Sequence, residues 1–149
     1  MRVAVITPYH TEPLELLRQC HESVMRQSHP CLHVIVADGF PREEVARWPA
    51  DHVILPREHN DIGSTPRLIG CYHAIGLGYD AVAFLDADNW YRDDHVAALV
   101  RLCEQTGAVL KVAPINRRGE LELDALAALL SERVKLLGIV HISNALGPV

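Results

Sequence analysis

Short segments, most of them continuously apolar, alternate with longer amphipathic segments along this sequence. The apolar segments are Val3–Ile6, Leu32–Ala37, His52–Leu55, Ala81–Leu85, Val109–Ala113 and Lys135–Ile142. A short apolar run without polar alternation is typical of a parallel strand, because helices cover such a strand on both faces. The pattern therefore predicts an α/β fold of three layers, α/β/α, with a mostly parallel sheet.

Four amphipathic segments predict helices, and the predicted order alternates strands with helices throughout. The first helix is expected to begin at Pro13 and the second after a cap at Ser64 or Thr65, with Pro66 in its first turn. Asp93 and Asp94 are expected to open the third helix and Asp124 the fourth. The apolar residues expected on their faces are Leu17, Cys20 and Val24; Leu68, Cys71, Tyr72 and Ile75; Val96, Leu99, Val100 and Cys103; and Leu126, Leu129 and Leu130. Helical spacing places each of these sets on one side of its helix.

Composition excludes several classes of protein. A chain of 149 residues is about one domain, and its net charge of −5 favours neither nucleic acid nor an anionic membrane as a partner. The sequence has no apolar run of about 18 residues that would suggest a membrane span. Its four cysteines are far apart, which favours reduced thiols and a cytoplasmic location. A zinc site is not expected, because Cys20, His21, Cys31 and His33 do not match zinc-ligand spacing.

Two aspartates follow the fourth predicted strand. Asp86 and Asp88 lie two residues apart at its end, and ligands of open parallel sheets bind beyond the carboxyl ends of the strands. Paired carboxylates can hold Mg²⁺ or Mn²⁺ and leave positions for phosphate oxygens. The alternative is that these residues only cap the next helix, and spacing alone leaves both interpretations open.

A second candidate is the segment from Gly63 to Arg67. It combines a glycine, a helix N-terminus with free N–H groups and a guanidinium, which together suit a phosphate or a carboxylate. An ordinary capped helix with a surface arginine is an equally good explanation of the spacing.

Residues 1 to about 103 resemble the donor-binding half of a family 2 glycosyltransferase of the GT-A fold, which is Rossmann-like. The matching motifs, in order, are Thr7-Pro8-Tyr9; Ser23-Val24 through Gln27 to Pro30; Val34 to Gly39; Asn60 through Arg67; Ala74 with Gly78; and Phe84-Leu85-Asp86-Ala87-Asp88. Ala37 and Phe40 depart from the family, which has an acidic residue and a serine there.

The resemblance implies a nucleotide-sugar donor, most often of the uridine diphosphate type, and inverting transfer of the sugar. The resemblance implies that the nucleoside pocket is lined by Thr7, Pro8 and Asp38. It also implies that Arg67 faces the base or pyrophosphate, that Asp86 binds the ribose or a metal, and that Asp88 binds the metal. The family's catalytic base lies in a downstream acidic pair. After Asp94 the acidic residues are Glu104, Glu120, Glu122, Asp124 and Glu132, without such a pair.

Residues from about 104 to 149 resemble a different family, the cysteine desulfurases of the class V aminotransferase group. The matching segments are 104–112, 114–121, 126–133 and His141-Ile142-Ser143-Asn144-Ala145-Leu146-Gly147. In that family the residue matching Asn144 lies beside pyridoxal phosphate. Desulfurase activity is not expected, because the only lysines, Lys111 and Lys135, fall on predicted strands. The two resemblances suggest a chimera joined near residues 100–107, whose tail completes the sheet of a single domain.

The sequence leaves two functions open. One is a glycosyltransferase-like domain that binds a nucleoside diphosphate or nucleotide sugar with Mn²⁺ or Mg²⁺ and transfers sugar weakly or not at all. The other is a non-catalytic chimeric α/β scaffold with a vestigial pocket. A homodimer that buries an incomplete sheet edge is a further expectation.

Overall fold

The computed structural model describes residues 1–106 and, in the tail, residues 124, 127–128, 142–143 and 147–148. The chain divides into two compact units, Met1–Gly107 and Ala108–Val149. That they form a single domain stays a prediction, as does completion of the sheet by the tail.

The first unit is built on a four-stranded parallel sheet. Its strands are β1 (Val3–Tyr9), β2 (Cys31–Asp38), β3 (Asp51–Leu55) and β4 (Ala81–Phe84), in the order β3-β2-β1-β4. The helices are α1 (Leu14–Met25), α2 (Ser64–Gly76) and α3 (His95–Thr106). All four strands predicted in this unit are confirmed, with ends that differ by at most three residues.

Alternate residues of β1 face opposite layers. Val3 and Val5 pack with residues of α1 and α3, whereas Ala4 and Ile6 pack with Ala74 of α2. Successive side chains of a strand point to opposite faces, so one apolar strand supports two layers of helix. This arrangement confirms the three-layer α/β fold of the first unit.

Helix α2 presents a different face to the sheet from the one its large apolar residues predict. Pro66, Gly70 and Ala74 are its buried residues. The large residues Leu68, Tyr72 and Ile75 are more than half exposed, at 55%, 65% and 62%. The helix lies so close to the sheet that a Cβ on Gly70 would overlap Ile6. Only small side chains fit in that space.

Two further expectations about helices need correction. The β2–β3 connection contains a single 3-10 turn at Val45–Arg47 and no α-helix. In α3, Val96 and Val100 are buried as predicted, but Leu99 and Cys103 are exposed.

The second unit is described only in part. Its strands β5 (Ile142–Ser143) and β6 (Gly147–Pro148) pair antiparallel. Asp124, Ala127 and Ala128 are helical, in agreement with the fourth predicted helix. The strand predicted at 109–113, and the one predicted at 135–142 apart from Ile142, lie outside the described residues, as does Asn144.

Candidate functional site

A cavity of about 450 Å³ lies at the carboxyl ends of β1, β2 and β4. The loop before α2 and the first turn of that helix form another part of its wall. Its lining residues are Pro8, Tyr9, His10, Glu12, Asp38, Asn60, Asp61, Ile62, Gly63, Pro66, Arg67, Asp86, Ala87 and Asp88. Five of the six residues expected at the site therefore lie at one cavity.

Asp38, the last residue of β2, is 6% exposed. His59, in the loop between β3 and α2, donates from Nδ1 to Asp38 Oδ1 at 2.6 Å, and its backbone N–H donates to Oδ2 at 3.3 Å. Both carboxylate oxygens thus have a donor from the same residue. This partner was not expected from the sequence.

Asp86 and Asp88, which follow β4, differ in their surroundings. The Arg67 guanidinium pairs with Asp86 Oδ1 and also donates to the Ile62 carbonyl at 2.9 Å. Asp88 is exposed and accepts a hydrogen bond from the neighbouring Asn89 amide at 3.2 Å. Both carboxylates are exposed, but Asp86 is paired with a guanidinium, so Asp88 is the one at which a cation meets less competition.

The N-terminus of α2 is organised differently from the prediction. Neither Ser64 nor Thr65 caps it, since the helix begins at Ser64 after Gly63. Instead the Thr65 N–H donates to the Asp61 carboxylate at 2.9 Å and the Ser64 N–H to the Asp61 backbone carbonyl at 3.2 Å, and Pro66 has no N–H to offer. The helix terminus is therefore occupied by this chain's own carboxylate, and Arg67 is the cationic group left to meet a phosphate on this wall.

Asp61 is held in its ionised form. Burial raises the pKa of its carboxyl, but the Thr65 hydroxyl, the Thr65 and Ser64 N–H groups and His59 together outweigh burial, so the pKa lies below its usual value. An ionised carboxylate at a helix N-terminus also interacts favourably with the helix dipole.

The loop before α2 has an unusual backbone. Asn60, Ile62 and Gly63 have φ angles of 53°, 55° and 80°. Glycine and asparagine tolerate this left-handed region, but a β-branched residue such as Ile62 does so at a cost of about 1–2 kcal/mol. Strained backbone of this kind clusters at ligand-binding sites.

Thr7 was expected in the nucleoside pocket, but its side chain does not line the cavity. It is fully buried on the opposite face of β1 from Pro8, and its hydroxyl is 2.9 Å from His33 Nε2 and 3.6 Å from Cys20 Sγ. The reason is the pleat, because neighbouring residues of a strand point to opposite faces. Thr7 therefore belongs to a buried polar network.

That network continues through two histidines. His33 Nδ1 and His21 Nδ1 are 2.9 Å apart, and the His21 ring stacks on Trp48. Burial, reinforced by the neighbouring His21, lowers the pKa of His33 to about 3, and burial also lowers the pKa of His21. Both rings are neutral at pH 7, so that one Nδ1 can donate to the other.

The residues at the cavity supply only some of the ligands that a divalent cation needs. In the described ranges, no three His, Cys, Asp or Glu side chains are arranged to hold a metal. Mg²⁺, however, is commonly bound by one or two carboxylates together with substrate phosphates and water. Asp88, assisted by Asp86, suits that mode of binding, in which a diphosphate supplies the remaining ligands.

The site also contains residues that the sequence interpretation did not single out. His10, Glu12 and Asp61 line the cavity, and His59 binds Asp38. Asp38 ends β2, and His59 lies 21 positions later in the loop before α2, so no local spacing indicates their contact. No helix in the described part of the chain is long and apolar enough to cross a membrane.

The fold and cavity define a parallel α/β domain with an acidic site at the carboxyl edge of its sheet. Comparison with known families then identifies it: glycosyl transferase family 2 matches residues 4–133. The chain therefore belongs to that family.

Solved structures agree on the fold. The structure of S. aureus TarS has a TM-score of 0.59 and 14% identity, covering 79% of this chain and 24% of that one. The TarS 1–349 structure has a TM-score of 0.58 and 13% identity, covering 83% of this chain and 44% of that one. These neighbours support the GT-A architecture.

Curated relatives include cysteine desulfurases. The one from Cronobacter sakazakii is 33% identical over 124 residues, which is 80% of this chain and 30% of the desulfurase. The one from Salmonella newport is 52% identical over 46 residues, which is 31% of this chain and 11% of the desulfurase. The chain thus spans less than a third of the length of these relatives. The longer match overlaps the glycosyltransferase match, so a division into two halves of different origin is not established.

Proposed function

We propose that this glycosyltransferase-like domain binds a nucleoside diphosphate or nucleotide sugar, of the uridine diphosphate type, together with Mn²⁺ or Mg²⁺. The observation that carries the proposal is the meeting of Asp38, Arg67, Asp86 and Asp88 at one cavity. These residues come from two strand ends and a helix, and together they offer an acceptor, a guanidinium and two hard oxygen ligands.

We infer one role for each of these residues, and their positions around the cavity support it. Asp38, in the cavity wall, accepts from the base, and Pro8 packs beside it. Arg67 contacts the diphosphate, with Asp86 holding its guanidinium in place. Asp88 and Asp86 would hold the cation, which neutralises charge on a departing nucleoside diphosphate when bound. Thr7 supports the pocket from the buried side of β1 and does not touch the ligand.

Titration calorimetry with uridine diphosphate in Mn²⁺ tests this proposal. We expect binding by the unmodified chain and at least tenfold weaker binding by Asp88→Ala, because a cation meets less competition at Asp88 than at Asp86. Asp94→Ala removes another exposed carboxylate, outside the cavity, and serves as the matched control. Absence of heat at millimolar ligand, or equal binding by Asp88→Ala, would contradict the proposal.

We also expect this chain by itself to transfer sugar weakly or not at all, because the sequence after Asp94 has no adjacent Glu-Asp pair of the kind in which the family's base commonly lies. The free thiols of all four cysteines favour a cytoplasmic location.

Pairing of two copies along a sheet edge is the proposed assembly, and light scattering across concentrations tests it.

One observation favours a second candidate, a non-catalytic chimeric scaffold with a vestigial pocket. It is the 52% identity to a cysteine desulfurase over a short segment of 46 residues. Under this proposal the tail contributes structure and no chemistry. Turnover of any sugar donor by the chain alone would exclude it.

A further inference from the structure

His59 lies beside the cavity, where it binds Asp38, and the family match assigns it no role. Its ring and its backbone N–H both bind Asp38, at 2.6 and 3.3 Å. His59 is only about a quarter exposed, at 23% for its side chain, and the Asp38 side chain is 8% exposed. The contact is therefore shielded from solvent, where a hydrogen bond to a charged group is stronger than one at the surface.

The local backbone brings the two residues together. Gly39, directly after Asp38, has a φ of 84°, and a Cβ there would overlap the backbone of Glu58 and lie 2.8 Å from that of Arg57. Because Gly39 has no side chain, the segment that follows β3 can pass directly against the end of β2. His59 is the next residue along that segment, so its ring reaches Asp38.

The contact between His59 and Asp38 determines which atom donates and which lone pairs of the carboxylate stay available. A carboxylate can only accept, so the His59 Nδ1 must carry the proton. With one donor on each oxygen, the Asp38 carboxylate is held in one orientation and keeps further lone pairs for a ligand. It can accept from a ring N–H but repels a ring nitrogen that is itself an acceptor.

We propose that His59 is a positioning residue that gives this site its selectivity for bases with a ring imide N–H, such as uracil, over cytosine. The inference rests on the proposed function, since it assumes that Asp38 meets the base. His59 acts through Asp38 and does not contact the nucleotide itself. Its loss therefore changes the ratio of two affinities rather than nucleotide binding in general.

The experiment measures binding of uridine diphosphate and cytidine diphosphate, in Mn²⁺, to the unmodified chain and to variants of His59. His59→Leu removes the ring donor, and we expect it to lower the uridine-to-cytidine affinity ratio about tenfold. His59→Asn places an amide N–H near the position of Nδ1 and is expected to keep the ratio within twofold. His59→Gln, whose amide extends past that position, is a second loss-of-contact variant should His59→Leu fail to fold.

His73→Leu is the matched control. His73 donates to Asp51 at 2.8 Å in a second histidine–aspartate pair, which is more exposed than the His59–Asp38 pair and lies outside the cavity. Loss of the His73 ring is expected to leave the uridine-to-cytidine affinity ratio unchanged.

The possible results distinguish a failure of the proposed function from a failure of the inference about His59. Failure of the unmodified chain to bind uridine diphosphate contradicts the proposed function, and the inference falls with it. Binding by the unmodified chain with the same ratio in His59→Leu or in His59→Gln contradicts the inference alone. So does loss of the ratio in His59→Asn, or an equal loss in His73→Leu.

Discussion

At the scale of single residues, Arg67 connects the two sides of the cavity. Its guanidinium pairs with Asp86 after β4 and with the Ile62 carbonyl of the loop before α2. A guanidinium held by a carboxylate keeps further N–H donors for a phosphate. Arg67 is thus positioned before any ligand binds.

Arg67→Leu should therefore weaken binding of uridine diphosphate about tenfold and leave binding of uridine unchanged, since uridine has no phosphate. Calorimetry for the diphosphate and NMR titration for uridine measure the two affinities. The control is Arg26→Leu, which removes an exposed arginine directly after α1 that pairs with Glu22 of that helix and with Asp93. An equal loss of affinity for both ligands would show that Arg67 only maintains the fold.

The buried pair of His21 and His33 makes stability depend on pH. Burial lowers the pKa of His33 to about 3 in the folded chain, against 6.5 for an ordinary histidine. Between these values the unfolded chain binds more protons than the folded one. The free energy of unfolding should therefore fall as the pH falls from about 6.5 towards 3, by up to about 1.4 kcal/mol per pH unit for His33.

Chemical denaturation at a series of pH values measures this dependence. His33→Gln should lose some stability at pH 7 but show a shallower fall towards acid, because a titrating group is removed. His29→Gln, which alters a histidine bonded to the Met1 carbonyl near the N-terminus, should keep the original slope. An unchanged slope in His33→Gln would contradict the assignment of His33 as a buried neutral ring.

At the scale of elements, the close contact of α2 with the sheet depends on Gly70. A Cβ on Gly70 would overlap Ile6 and lie 3.2 Å from Val36, whereas one on Gly76 meets nothing within 4 Å. Gly70→Ala should therefore lower the free energy of unfolding by about 1–3 kcal/mol. Gly76→Ala on the same helix should raise it by up to about 1 kcal/mol through helix propensity. Denaturant unfolding compares them, and a neutral Gly70→Ala would mean that α2 lies farther from the sheet.

The same helix shows where prediction from sequence succeeds and where it fails. The strands were predicted well because continuous apolar runs such as Val34–Ala37 have few other uses in an α/β fold. On the inner face of α2, Cys71 packs against the core as predicted. Leu68, Tyr72 and Ile75 were predicted wrongly, because hydrophobicity points to them while the available space admits only small residues.

Some residues of the candidate site were likewise predicted from the sequence, and others were not. Asp38, Asp86 and Asp88 could be placed at one edge because the carboxyl ends of parallel strands meet there. Thr7 was misplaced because its resemblance to the family motif does not say which face its side chain takes. The His59–Asp38 contact depends on how a loop passes Gly39, and the sequence carries no local sign of it.

At the scale of the whole molecule, every residue lining the cavity belongs to the unit Met1–Gly107. A fragment of residues 1–107 should therefore bind uridine diphosphate with the affinity of the full chain. Calorimetry, with circular dichroism to establish folding, tests this expectation. Loss of binding by a folded fragment would show that residues 108–149 contribute to the site.

We propose that Asp88, through a bound cation, and Asp38 hold the two ends of one nucleotide. Crystals soaked with uridine diphosphate and Mn²⁺, with diffraction recorded at the manganese absorption edge, locate both the metal and the nucleotide. We expect an anomalous peak within coordination distance of the Asp88 carboxylate, with the diphosphate beside Arg67 and the base against Asp38. A manganese peak away from Asp88, or a nucleotide bound outside this cavity, would contradict it.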